Sequence, residues 1–275
     1  MGLKQYLRTT VKVAEMADER RRRLAAPLPP PACPAGWEIG PPAFVGVGTQ
    51  KGGTTWWSRA VFSHPDILAP VRKELRYFQH HWAEEFTPAR ATEYHRYFPR
   101  PDDGKLTGEW TPNYLYDPWT AQRLHRAAPD ARILVILRDP VARLQSGLRD
   151  AAYHYYGDPH PRLVSEAIEF GRYAEQLDRL AANFPRSQIL VLQLERCSED
   201  PEAELARTYE FIGADPAFVP ADLRDPVNER KGPPITVPSD LVDVARDMYR
   251  EDVDRLRAGW PELDLGLWPG VTQSP

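Results

Sequence analysis

The segment Gly48-Thr49-Gln50-Lys51-Gly52-Gly53-Thr54-Thr55-Trp56 concentrates the residue types that hold an anion. Glycines let backbone N–H groups converge, a lysine supplies charge and threonines supply hydroxyls. The apolar run Ala43-Phe44-Val45-Gly46-Val47 precedes it and a helical pattern over Ser58-Arg59-Ala60-Val61-Phe62 follows, so it reads as strand, turn and helix start. That order aims a helix N-terminus at a phosphate or sulfate group. Gly48 and Gly53 keep the spacing of the nucleotide-binding loop, but Thr54 stands where that loop has its lysine, and Lys51 lies three residues earlier. The shifted lysine points to a different anhydride. Taken alone, the loop also fits a kinase-like phosphotransferase or a non-catalytic anion-binding scaffold.

A second group of cationic and hydroxyl residues follows the apolar run Arg132-Ile133-Leu134-Val135-Ile136-Leu137, in Arg138-Asp139-Pro140-Val141-Ala142-Arg143-Leu144-Gln145-Ser146. A nucleotidase would end this run on a magnesium-binding aspartate. Here Arg138 takes that place, and Asp139 points to the other side of an extended chain. A forked guanidinium at Arg138 with a hydroxyl at Ser146 suits a phosphate monoester. Arg143 and Arg149 read as solvated residues of a helix face, and Arg138-Asp139-Pro140 by itself would also serve as a strand-to-helix turn.

Lys51-Gly52-Gly53-Thr54-Thr55-Trp56 resembles the 5′-phosphosulfate loop of sulfotransferases that use 3′-phosphoadenosine 5′-phosphosulfate (PAPS). The resemblance implies that Lys51 contacts the oxygen bridging phosphate and sulfate and offsets the charge appearing there. It implies donor binding by Gln50, Lys51, Gly52, Gly53, Thr54, Thr55 and Trp56, with Trp56 stacked on adenine. Arg138 and Ser146 are similar to the family's pair for the 3′-phosphate. Arg230-Lys231-Gly232 resembles its closing loop over phosphate and adenine, and Tyr173 lies where members hydrogen-bond the adenine. Without the resemblance, Tyr173 and Trp56 are core aromatics and 230–232 a surface turn.

Lys73-Glu74-Leu75-Arg76-Tyr77-Phe78 is similar to the Lys-Glu-x-x-Phe-Phe segment of glycan sulfotransferases, which implies Glu74 as general base and Lys73 as electrostatic helper. A glutamate between an anionic donor and aromatic rings is expected to titrate nearer neutrality. His80 and His81 are rival bases, histidine serving in cytosolic small-molecule sulfotransferases; a structural role is the other reading of each. Glu109-Trp110-Thr111-Pro112-Asn113-Tyr114 resembles an acceptor-cleft segment and also fits a strand-to-helix connection; it receives no chemical step. Trp56, Trp57, Tyr77, Phe78, Trp82, Trp110, Tyr114 and Tyr116 could form a cleft for a glycan or an aromatic natural product, or fill a core.

These residues need a scaffold. Compact apolar runs at 132–137 and 188–194 alternate with helical patterns at 140–154, at 164–183, from Pro201 and at 239–257. The sum is a three-layer, P-loop-like α/β domain over 37–275 with a central, mostly parallel sheet and the glycine loop at its first strand's C-terminal end. Residues 1–36 read as an amphipathic helix over 1–26 and a Pro-rich linker, suited to contact with a partner or a second copy. The formal net charge of -4 argues against nucleic acid as partner. No apolar stretch approaches the ~20 residues that cross a bilayer, and Cys33 and Cys197 are isolated, so a cytoplasmic setting is expected. The histidines lack metal-ligand spacing, so no metal is expected. The expected activity is transfer of a sulfuryl group from PAPS to a hydroxyl, releasing 3′-phosphoadenosine 5′-phosphate (PAP).

Overall fold

The computed structural model describes residues 27–155, 161–225 and 237–272. The expected N-terminal helix and the Arg230-Lys231-Gly232 loop lie outside these residues. The strands among them are β1 (Glu38–Ile39), β2 (Phe44–Gly48), β3 (Ile67–Leu68), β4 (Pro99–Arg100), β5 (Leu106–Trp110), β6 (Arg132–Leu137) and β7 (Ile189–Gln193). A five-stranded sheet runs in the order β3-β5-β2-β6-β7, every neighbouring pair parallel. The short strands β1 and β4 pair antiparallel beside it.

Alternation along β6 explains the three layers. Ile133, Val135 and Leu137 pack with Val45, Val47 and Val191 in one core. Leu134 and Ile136 pack with Phe44 and Leu192 in the other. A strand apolar on both faces is stable only between two helical layers. One layer includes helices Thr54–Phe62 and Pro201–Ile212, through Trp57, Val61, Leu205 and Tyr209. The other includes helices Tyr173–Ala181 and Ser239–Gly259, through Leu177, Leu180, Ala245 and Leu256. Because β2 lies between β5 and β6, the chain completes one side of it, edge strand β3 first and then β5, before crossing to β6 and β7 on the other. The loop leaving β2 therefore opens at the topological switch point, where sheets of this kind receive ligands.

The helical pattern expected over 164–183 is broken in the structure into Pro161–Glu169 and Tyr173–Ala181. The break falls at Gly171, where a Cβ would stand 2.6 Å from the hydroxyl of Tyr249. That hydroxyl donates to the carbonyl of Ile168 at 3.0 Å, and Asp252 of the same helix receives the N–H of Ala174 at 3.1 Å. Docking of helix Ser239–Gly259 thus ends one helix and starts the next. The expected helix opening at Asp200-Pro201 is present, with Asp200 accepting from the N–H of Ala203 at 3.2 Å.

Candidate active site

The chain leaves β2 at Gly48 and turns through 49–53 into helix Thr54–Phe62. The turn is closed by the N–H of Thr49 donating to Ile136 O at 2.9 Å and that of Gly52 donating to Thr49 O at 3.0 Å. Gly53, the residue before the helix, has φ 86 and no side chain with which to cap it. The N–H groups of the first turn, Thr54, Thr55 and Trp56, therefore lack intrahelical acceptors and stay available to an anion.

Arg138 follows β6 and brings its Nη1 to 3.3 Å from the carbonyl of Lys51. Helix Pro140–Tyr155 carries Ser146 and passes the Lys51 side chain at the next residue; a Cβ on Gly147 would lie 3.9 Å from Lys51 Cγ. Lys51 and Arg138, 87 residues apart in sequence, thus meet at one uncapped helix start, with the helix that carries Ser146 passing beside Lys51. Asp139 keeps clear of this space. Its Oδ1 receives the N–H groups of Val141 at 2.9 Å and Ala142 at 3.1 Å, and its Oδ2 that of Gly270 at 2.6 Å. Glu195 adds a second tie, accepting from the Asp139 N–H at 2.9 Å and from Trp268 Nε1 at 3.2 Å.

Two donor-side expectations change. Tyr173, expected at the adenine, is fully buried beside Trp268 and donates its hydroxyl to the carbonyl of Arg138 at 2.9 Å, so it braces Arg138 from the core. Arg143, expected on a solvated face, is fully buried. Residues 167–170 cover it: Nη2 donates to Ala167 O and the guanidinium lies 5.9 Å from the Phe170 ring centroid. Its Nε and Nη1 have no hydrogen-bond partner among the described residues. Trp56 is half-buried and donates Nε1 to Leu223 O at 2.7 Å.

On the other side of β2, Glu74 receives Lys73 Nζ at 2.9 Å and Arg76 Nη2 at 2.6 Å. Both Glu74 (φ 65) and Arg76 (φ 55) adopt the left-handed backbone region. Such non-glycine residues carry strain and cluster at working sites. The pKa expectation for Glu74 is reversed: burial pushes it up, but the Lys73 charge and the hydrogen bonds from Arg76 and Lys73 outweigh that and hold it below the ordinary glutamate value. The rival His81 is buried with Nδ1 3.3 Å from Glu84, whereas His80 is half-buried. Most of the candidate cleft aromatics prove to be core, since Trp57, Tyr77, Phe78, Trp110 and Tyr114 are buried. Tyr116 is half-buried against Phe170, ring centroids 4.3 Å apart, and Trp82 is 60% exposed.

Sequence reasoning gave no role to Glu109, which is fully buried below the Glu74 loop. It accepts from the Tyr94 hydroxyl at 2.7 Å and the Thr111 hydroxyl at 2.7 Å, yet burial still pushes its carboxyl up to about 7. The signal available was a charged residue inside the five-residue strand Leu-Thr-Gly-Glu-Trp. Asp117, buried beside Gln79, is likewise raised by burial to about 7.

A glycine turn running into an uncapped helix start at the switch point of a parallel sheet marks the fold as the P-loop-like α/β class. Comparison with known proteins narrows this class. The model of the sulfotransferase family matches residues 76–217, just over half of the chain. Heparan sulfate glucosamine 3-O-sulfotransferase 6 of Mus musculus is 30% identical over 203 residues, covering 70% of this chain and 57% of that protein. The chain thus spans somewhat over half the length of that curated relative. A solved sulfotransferase from Alicyclobacillus acidocaldarius superposes with a TM-score of 0.61 at 28% identity, covering 84% of this chain and 99% of that one. The sulfotransferase domain from the curacin biosynthetic pathway shares the fold, with a TM-score of 0.51 at 11% identity over 68% of this chain and 77% of that one. The chain belongs to the sulfotransferase family. Among the described residues no helix is long and apolar enough to cross a membrane.

Proposed function

We propose that this chain transfers a sulfuryl group from PAPS to a hydroxyl of a glycan or hydroxylated natural product, with PAP as the other product. What supports the reading most is the 3.3 Å approach of Arg138 to Lys51 above an uncapped helix start. Free N–H groups with two cations beside them match the charge of an adenosine bisphosphate, so the residues present fit the donor. PAPS supplies the activated sulfuryl group on a phosphate leaving group.

Gln50, Gly52, Gly53, Thr54, Thr55 and Trp56 hold the 5′ end of the donor, and Lys51 offsets the charge that develops on the departing phosphate. Arg138 and Ser146 take the 3′-phosphate, with Arg230, Lys231 and Gly232 closing over it as the family resemblance implies. Tyr173 acts through Arg138, whose carbonyl it holds. Glu74 accepts the proton of the attacking hydroxyl; its lowered pKa keeps the carboxylate ionised at neutral pH. Lys73 balances that charge. The relative from Mus musculus is named for heparan sulfate, which puts glycans first among candidate acceptors.

The test incubates the purified protein with PAPS and a panel of glycans, phenols and hydroxylated natural products, reading product mass. One acceptor class is expected to gain a sulfuryl group, and PAP is expected to raise the melting temperature where magnesium-ATP does not. A shift with magnesium-ATP alone, together with no sulfated product and no slow hydrolysis of PAPS, would overturn the reading.

A further inference from the structure

Two amides of the Glu74 loop are met by two consecutive residues at the end of β5. The Glu74 N–H donates to Trp110 O at 3.0 Å, and the Arg76 N–H donates to Thr111 Oγ1 at 3.4 Å. The Thr111 hydroxyl donates to Glu109 Oε2 at 2.7 Å and Tyr94 donates to Oε1 at 2.7 Å.

Glu109 is an expensive choice for that place. Taking a carboxyl fully out of water is costly even when it is hydrogen-bonded, and an apolar side chain would fill the space more cheaply. The loop above it carries its own cost, since a left-handed non-glycine residue is strained and persists only where its surroundings impose it. The two costs meet at Thr111, whose hydroxyl touches both Glu109 and Arg76.

We propose that Glu109 and Thr111 are positioning residues for the transfer step. Glu109 orients the Thr111 hydroxyl, which pins the amide of Arg76. The loop is thereby kept in the left-handed form that sets the Glu74 carboxylate between Lys73 and Arg76. This rests on the sulfuryl-transfer reading above, through the role of Glu74 as base.

The test compares Thr111→Val, which keeps the volume and loses the hydroxyl, with Thr111→Ser, which keeps the hydroxyl and loses a methyl. Misplacement of a catalytic group by about 1 Å can cost on the order of a hundredfold. Thr111→Val is therefore expected to lower kcat by about tenfold to a hundredfold with the KM for PAPS nearly unchanged, and Thr111→Ser to keep most of the parental kcat. A Val variant with parental kcat, or a Ser variant as slow as the Val variant, overturns the proposal, because a packing role would favour Val. Amide hydrogen exchange over residues 72–79 separates this from failure of the functional reading. Even in a protein that transfers nothing, Thr111→Val should exchange faster there than Thr111→Ser, and equal exchange sinks the latch.

Discussion

The loop over 48–56 and the loop over 73–76 both leave the ordinary regions of backbone conformation, the first at Lys51 and Gly53, the second at Glu74 and Arg76. They are completed differently. The first ends on glycine, exposes unpaired helix N–H groups and supplies no anion of its own. The second contains no glycine, and two of its amides and both cations are already engaged by Trp110, Thr111 and Glu74. A loop finished by its ligand gains order on binding, whereas a loop finished by its own core depends on residues that never meet the ligand.

The comparison breaks most visibly in activity. Glu74→Gln removes the proton acceptor and is expected to lower kcat by about 10²–10⁴-fold while PAP still raises the melting temperature as in the parent. In the parent, the acid limb of kcat/KM should fall below pH 4.5, because the Glu74 pKa is lowered from that value; a limb near 7 would assign the base elsewhere. Lys51→Ala should cost about 10²–10³-fold in kcat and, unlike Glu74→Gln, also weaken the thermal shift by PAP. Equal PAP shifts in the two variants would erase the distinction between the loops.

Stability gives smaller tests. Gly53→Ala places a Cβ at φ 86 and 2.5 Å from Leu194 Cδ1. The expected loss is about 1–3 kcal/mol, read as a lower melting temperature at roughly 2–4 °C per kcal/mol. The smallest effect is pH linkage. Glu109 and Asp117 are raised to about 7 and Asp252 to about 6, each chiefly by burial. Stability tied to them is fully present below their unfolded values and is lost as pH rises through 6–7, so the melting temperature should decline over that window. The ionisable groups facing Glu109 are the hydroxyls of Tyr94, Tyr97 and Tyr114, whose own values are raised, so they stay neutral there. Glu109→Gln should flatten part of the decline, and an unchanged slope would deny Glu109 a titration in this range. Glu74 acts in the opposite sense, its contribution present above 4.5 and lost as pH falls through its lowered value.

Features set by adjacent residues were legible in the sequence. The strand at 132–137 has the bounds its apolar run suggests, a period and composition that adjacent residues alone specify. The glycine turn and helix start at 48–54 were readable because the N-terminal end of a helix and the φ of Gly53 are local properties. The break at Gly171 was hidden, because both flanking helices keep an apolar face and the interruption comes from Tyr249. Glu74 was legible as a candidate, but the direction of its pKa was not: the left-handed turn that swings Arg76 onto it is imposed from residues 109–111. Arg143 was misread because a helix face looks solvated in sequence until another segment covers it.

The tie from Gly270 to Asp139, with Trp268 joined to the same point through Glu195, holds the backbone beside Arg138 from a segment 131 residues downstream. On the proposed reading that arginine takes the 3′-phosphate of the donor. Substitution in this C-terminal hook could therefore retune donor affinity while every ligand-contacting residue stays the same.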